Sequence, residues 1–292
     1  MVAERGENQL VFTPHLDLNP LLRGWSILSH SVDHTGGEID LLLVENEELA
    51  EEISRSSGEC PAYNARLLHV SEHYDWELEF SNLRRPYHGF CNLSNEQFVL
   101  LSYGRLKQPN VFIFDRNGHQ LLSFWVGDYL AHLQADPAGR IWVSYFDQAY
   151  GRDYSRKGLS CYDSQGQTVA PWWDSPMMDC YAMNVSKDAV WHCGFNGFPI
   201  ECAGFDGSQR SWENQVYGAK AIVGWGQRAA LYGGYGDRSQ HLTILALKAR
   251  KAVVQQERVV SLPGDNLRVL GRGPYFHTLH QGIWYRLDPG LR

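Results

Sequence analysis

Phe114-Asp115-Arg116-Asn117-Gly118, Tyr162-Asp163-Ser164-Gln165-Gly166 and Phe205-Asp206-Gly207-Ser208 repeat one phrase: an aromatic residue, Asp, then a turn containing Gly. Asp can accept a hydrogen bond from its own backbone two residues on, and Gly accepts positive φ, so each phrase closes a hairpin. The three aspartates lie 48 and 43 residues apart, and Leu287-Asp288-Pro289-Gly290 follows about two periods later, with one degenerate copy between. A second phrase, a turn followed by an apolar run, precedes the first. It reads Asp136-Pro137-Ala138-Gly139-Arg140-Ile141-Trp142-Val143 and Ser186-Lys187-Asp188-Ala189-Val190-Trp191, with weaker copies at Asn95–Leu101 and Gly226–Leu231. Four short strands in a period of about 40 to 50 residues are what one β-propeller blade requires. A pair of β-sandwiches would explain the short strands but not the period.

Working outward, the copy at 129–178 parses as strand a Tyr129–Ala135, strand b Arg140–Phe146, strand c Gly158–Tyr162 and strand d Gln167–Ala170. The same parse places blades at about 24–80, 86–128, 129–178, 179–218, 219–265 and 266–288. The last blade holds only three strands. Gln9–Thr13 can supply the fourth, which removes an exposed sheet edge. The expectation is one all-β domain over residues 1–292, a six-bladed propeller of four-stranded antiparallel blades closed by an N-terminal strand, with five or seven blades as the counting error. The composition agrees: 10 Trp, 15 Tyr, 12 Phe and 28 Gly favour short strands and tight turns over long helices. One helix is expected, at Asn46–Ser54, inside the first blade.

The same composition narrows the function classes. The net charge of −7 comes without a Lys/Arg block, which argues against a nucleic-acid ligand. The N-terminal Met1–Asn8 has no apolar core of a signal peptide, and no run approaches the roughly 18 apolar residues of a membrane helix. Six cysteines without C-x-x-C spacing read as buried free thiols. A cytoplasmic protein that contacts no membrane is expected, of undetermined oligomeric state.

The hairpin phrases resemble the blades of six-bladed propellers of the NHL group, over about residues 86–218. Calcium-dependent lactonases of the gluconolactonase type are similar in outline and would imply a metal held by Glu, Asn and Asp from several inner strands. The inner-strand starts here are Trp25, His88, His132, Asp179, Lys220 and Asn266, which departs from that set. The WD40 pattern is not met.

Blade topology assigns loops to faces: a–b and c–d connections emerge on one side, b–c and d–a connections on the other. The a–b and c–d turns are short and generic. The long, chemically rich segments fall on the b–c/d–a side: Glu45–Asn64, Asp147–Lys157, Trp172–Asp179, Asn196–Pro199 and Tyr235–Gln240. Tyr, Trp and Arg dominate interface energetics. Tyr145, Tyr150, Arg152, Tyr154, Trp172, Trp173, Asp237 and Arg238 are therefore the candidate partner-binding residues. The acidic run at Glu45–Glu52 would favour a basic partner.

Enzymatic chemistry finds less support. His30/His34, His69/His73 and His277/His280 are not on helices, and two residues four apart on a strand are roughly 13 Å apart, too far to share one ion. No G-x-S-x-G elbow or phosphate loop is present. His132, Asp179 and Asp147 remain as an acid–base or metal set. The favoured expectation is a repeat protein that binds a partner protein without catalysis and without a cofactor, as a scaffold or a toxin-immunity protein. The alternatives are a metal-dependent, lactonase-like hydrolase with a divalent metal among inner strands, or small-molecule or glycan binding by the same loops.

Overall fold

A computed structural model describes residues 9–56, 58, 60–72, 75–93, 96–103, 107–155, 158–169 and 177–292. In chain order the strands are β1 (Gln9–Val11) and β2 (Thr13–Asp17), then β3 (Ser26–Val32), β4 (Ile39–Val44), β5 (Tyr63–Val70) and β6 (Trp76–Leu83). They continue with β7 (Gly89–Asn92), β8 (Gln97–Leu101), β9 (Val111–Asp115), β10 (Gln120–Phe124), β11 (Leu130–Ala135), β12 (Ile141–Tyr145) and β13 (Leu159–Tyr162). The remainder are β14 (Cys180–Val185), β15 (Ala189–Gly194), β16 (Ile200–Gly204), β17 (Gln209–Trp212), β18 (Ala221–Trp225), β19 (Arg228–Tyr232), β20 (His241–Lys248), β21 (Lys251–Ser261), β22 (Leu270–Arg272), β23 (Tyr275–His280) and β24 (Ile283–Leu287).

These strands form six antiparallel blades of a β-propeller, distributed over two compact units. One unit, Pro20–Cys180, holds the blades β3–β6, β7–β10 and β11–β13. In the third of these the fourth position is marked by the bridge Tyr162–Thr168, and 170–176 lie outside the described residues. The other unit, Met1–Asn19 with Tyr181–Arg292, holds β14–β17, β18–β21 and β22–β24. The N-terminal segment completes the last blade. β2 pairs antiparallel with β24, while β1 runs parallel to β21 over Val259–Ser261 and so widens the neighbouring blade to five strands.

The repeated Asp phrase does the local work its chemistry dictates. Asp115 Oδ1 accepts from the Asn117 and His119 N–H groups, each at 2.9 Å, and Asp163 Oδ1 accepts from Gln165 and Gln167 at 2.9 and 2.8 Å. Asp206 Oδ1 accepts from the Ser208 N–H at 2.9 Å. Asp136 does the same for Ala138 and Arg140, and its second oxygen takes the Trp142 indole N–H at 2.9 Å, which ties the a–b turn to strand b. The degenerate copy is the β20–β21 hairpin, which turns through Ala249 at φ +47° with no Asp-Gly pair.

Most of the apolar core sits between consecutive blades. Phe90, Phe98, Phe112 and Phe114 pack with Leu42, Leu67 and Trp76, whereas Val99, Val111 and Ile113 pack with Leu130, Ile141 and Val143. In the other unit Trp191, Cys193 and Trp212 meet Ile222, Leu231 and Leu245, and Val223, Tyr232 and Leu242 meet Phe276 and Leu287. Alternate residues of a strand face opposite neighbours, so middle strands such as β4 and β15 are buried along their whole length.

The expected helix is present as α1, Glu47–Arg55, between β4 and β5. Asn46 caps it by accepting the Leu49 N–H at 2.9 Å, Glu47 and Glu48 stand in its first turn, and Ala50 and Ile53 are its buried face. All six cysteines are free thiols, five of them buried. Among the described residues no helix is long and apolar enough to cross a membrane.

Candidate functional site

In the unit 181–292, β15 ends at Gly194 and Phe195–Pro199 turn the chain back into β16. Phe198 adopts φ +51°, in the left-handed region that costs a bulky residue about 1–3 kcal/mol. Three bonds hold it there. Its N–H donates to Phe195 O at 3.3 Å, and its carbonyl accepts from Asn214 Nδ2 at 3.1 Å and from the Cys193 thiol at 3.5 Å. Asn214 is buried and is fixed in turn by a two-way bond with Val216.

The outcome is that the Phe198 ring, only 8% exposed, becomes the floor of an aromatic platform. Four rings surround it: Tyr217 at 5.2 Å, Tyr181 and Phe195 at 5.5 Å, and Tyr235 at 5.8 Å between centroids, with interplanar angles from 45° to 89°. Edge-to-face pairs of this kind contribute about 0.5–1.5 kcal/mol each, so the rings are held without a ligand. Tyr217 and Tyr235 are 50% and 52% exposed and Phe195 is also exposed, so the walls stay open to solvent. Tyr235 is positioned three ways: its N–H donates to Tyr217 O at 3.0 Å, its hydroxyl meets that of Tyr181 at 2.6 Å, and its ring covers Gly218. Gly218 has φ +74°, and a Cβ there would stand 2.5 Å from the Tyr235 ring.

The ionisable groups of these loops stand beside the rings in the chain. Lys220 and Asp237 are exposed, and Arg238 Nε lies 3.3 Å from Glu257 Oε1. Asp237 and Arg238 thus belong to the same loop as Tyr235, as the sequence implied. Phe195, Phe198, Tyr217 and Tyr181 were not singled out from the sequence. A signal for part of the set exists. Tyr103, Phe146, Phe195 and Tyr235 each follow a strand b by one to three residues, and all four are exposed.

In the unit 20–180 the candidates separate. Tyr150 is 54% exposed and Arg152 is exposed, both on the b–c connection after β12. Tyr145 is a correction. It is 2% exposed and donates its hydroxyl to Val126 O at 2.6 Å, so it is a core residue rather than a surface anchor. As the last residue of β12 it faces the neighbouring blade, and burial pushes its phenol well above the usual range. Tyr154 is half-buried. Its ring meets Trp125 edge-on at 4.8 Å and lies where a Cβ on Gly127 would be. Trp172 and Trp173 lie outside the described residues.

The acid–base candidates are only partly brought together. His132 Nδ1 lies 2.9 Å from Ser144 Oγ, within its own blade. Burial, and then the charge of exposed Asp147, hold the Asp179 carboxyl above the usual range. Among the described residues no three His, Cys, Asp or Glu side chains are arranged to hold a metal ion.

No family model and no curated protein sequence matches the chain. Solved structures do. The fold is shared with known β-propellers. A chain of the mitotic checkpoint complex superposes with a TM-score of 0.52 at 9% identity, covering 91% of this chain and 76% of that one. A catalytically inactive virginiamycin B lyase from Staphylococcus aureus, solved with quinupristin, gives 0.52 at 10% identity, covering 94% and 97%. A streptogramin B lyase gives 0.51 at 11%, covering 89% and 78%. At these identities the likeness is one of fold.

Proposed function

We propose that this propeller is a binding protein without catalysis, and that it captures a partner protein on b–c and d–a loops through the platform Tyr181, Phe195, Phe198, Tyr217 and Tyr235. The observation that carries this reading is the open arrangement of those rings around a buried Phe198 held at positive φ. Strain retained at the residue that holds an aromatic platform in place is expected where a surface is shaped for a ligand. Aromatic rings fixed in advance lose little entropy on binding, so their burial by a partner goes into affinity. Asp237 and Arg238 border the platform, and in the unit 20–180 exposed Tyr150 and Arg152 are candidates by themselves. That a propeller of similar fold is found within the mitotic checkpoint complex agrees with protein recognition by this architecture. Scaffold and toxin-immunity roles both follow from such capture.

The test is affinity capture from the native cell with the wild-type chain and with a Phe195→Ala, Tyr217→Ala, Tyr235→Ala variant. Each truncation is expected to cost about 1–2 kcal/mol, roughly tenfold or more in Kd, so the triple variant loses the partner. A partner retained at wild-type yield would overturn the assignment.

A second reading is a hydrolase that uses Asp179 as a proton donor, and the raised Asp179 carboxyl beside Asp147 favours it. It requires that Asp179→Asn abolish turnover of a lactone or ester panel by the purified protein.

A further inference from the structure

Across the first blade one row of residues is polar from strand to strand. Ser31 on β3 is the register partner of Asp40 on β4, Asp40 of His69 on β5, and His69 of Trp76 on β6. Asp40 is buried and both of its oxygens are engaged. Oδ1 lies 2.7 Å from His69 Nδ1, while Oδ2 accepts from Ser31 Oγ at 3.1 Å and from the Asn92 backbone N–H at 2.9 Å. Asn92 ends β7, so this one carboxylate joins the first blade to the second.

The other nitrogen of His69 faces outward along the row. Nε2 stands 3.6 Å from Glu38 Oε2, at the foot of the a–b hairpin Asp33–Glu38, and the Glu38 side chain is about half exposed. The charged groups around this pair come from three elements. Asp33, with His34 3.8 Å away, and Glu38 come from the hairpin, Asp40 comes from β4, and Arg116 comes from the β9–β10 hairpin of the second blade. Arg116 also lies over the Trp76 ring at 5.0 Å, on which His69 stacks at 5.8 Å.

A histidine whose Nδ1 is held on a carboxylate has two distinct states at Nε2. Protonated, Nε2–H is a donor facing Glu38, and one cation lies between two carboxylates. Neutral, Nε2 presents a lone pair to a carboxylate at the same distance, and the attraction is lost. Burial opposes the cation, but the hydrogen bond and charge of Asp40, then the charge of Glu38, outweigh it, and His69 titrates above its ordinary value.

We propose that Glu38, Asp40 and His69 form a proton-operated clamp on the a–b hairpin of the first blade. With His69 protonated its Nε2–H holds the Glu38 carboxylate; with the proton lost, that side chain is released, while Asp40 keeps the blade joined to β7 and the Gly37 and Glu38 N–H groups stay on Asp33 Oδ1, each at 2.9 Å. The sign follows from the raised value. The clamp is fully present below pH 6.5, the ordinary imidazole value, and is lost as pH rises through the folded-state value of His69.

The test is an NMR titration of the His69 ring from pH 5.5 to 9.5, with the Glu38 side-chain carboxylate followed over the same range. His69 is expected to titrate above 6.5, with the Glu38 carboxylate signal moving in step. Glu38→Gln changes a half-exposed side chain and leaves the core intact; it is expected to lower the His69 titration, and each pH unit of that lowering corresponds to about tenfold in the hold on Glu38. A His69 value at or below 6.5, a Glu38 carboxylate signal that does not follow the His69 titration in the wild type, or a Glu38→Gln variant that titrates like the wild type would each overturn the clamp.

Discussion

Two connections of the same type, both following a strand b and both rich in aromatic residues, end differently. Phe195–Pro199 has five residues between β15 and β16 and cannot fold on itself, so Phe195 stays on the surface and only Phe198 turns inward. The connection from Phe146 to Gly158 is long enough to form two short 3-10 turns, at Asp147–Ala149 and Asp153–Ser155, and it folds back onto the core between the blades of its unit. There Tyr154 packs on Trp125 and Tyr145, Ala149 and Ser155 are buried, and Tyr150 is left outside. In these two connections loop length decides whether an aromatic side chain becomes core or surface. Aromatic content alone does not.

The largest expected effect separates the two tyrosines at the longer connection by stability. Tyr145→Ala should cost about 3–5 kcal/mol in denaturant unfolding, as for other buried aromatics, whereas Tyr150→Ala should change stability by no more than about 0.5 kcal/mol. Equal effects would break the distinction between a folded-in and a left-out tyrosine.

Acid should distinguish the two regions next. His192 on β15, directly opposite Glu201 on β16, is fully buried, and burial holds its imidazole down to about 3. A depressed histidine contributes stability that is complete above pH 6.5 and is lost as pH falls from 6.5 towards the folded value of about 3, at up to about 1.4 kcal/mol per pH unit. Hydrogen-exchange protection, corrected for intrinsic exchange, should therefore fall between pH 7 and 4 more in β15 and Phe195–Pro199 than in Asp147–Ser155. His192→Gln should remove that difference.

Gly218→Ala tests the platform. Its φ is positive and its Cβ would displace Tyr235, so a loss of roughly 1–3 kcal/mol is expected together with weakened partner capture. Normal capture by this variant would show that Tyr235 does not act from its observed position. The smallest expected effect is that of Tyr217→Ala, which should leave stability within about 0.5 kcal/mol while lowering affinity roughly tenfold or more. That pairing of outcomes marks a binding residue.

The Asp-x-x-Gly phrases were legible because the chemistry that makes them is local. An Asp side chain satisfies N–H groups two and four residues on, and the glycines at 118, 139 and 166 adopt the positive φ the turns require. The N-terminal closure of the last blade was legible as a missing strand. Which residues do the pairing was decided by register, since β2 and not the earlier β1 meets β24. The site was less legible. Tyr145 and Tyr150 are chemically identical and five residues apart, and only the direction of the strand end separates an anchor from a core residue. Phe198 lay within Asn196–Pro199, a loop the sequence assigned to the binding face, but its inward turn carried no signal, because it depends on Asn214, sixteen residues away on a different connection.

The sequence by itself determined the blade, its period, its turns and the side of each blade on which the aromatic loops emerge, because these follow from hydrogen bonds and alternation within one strand or hairpin. Tertiary structure alone decided which aromatic rings are buried, which four meet around Phe198, and that His69 stands between the Asp40 and Glu38 carboxylates. Each of those outcomes depends on side chains brought together from different strands, and no local pattern encodes the distance between them.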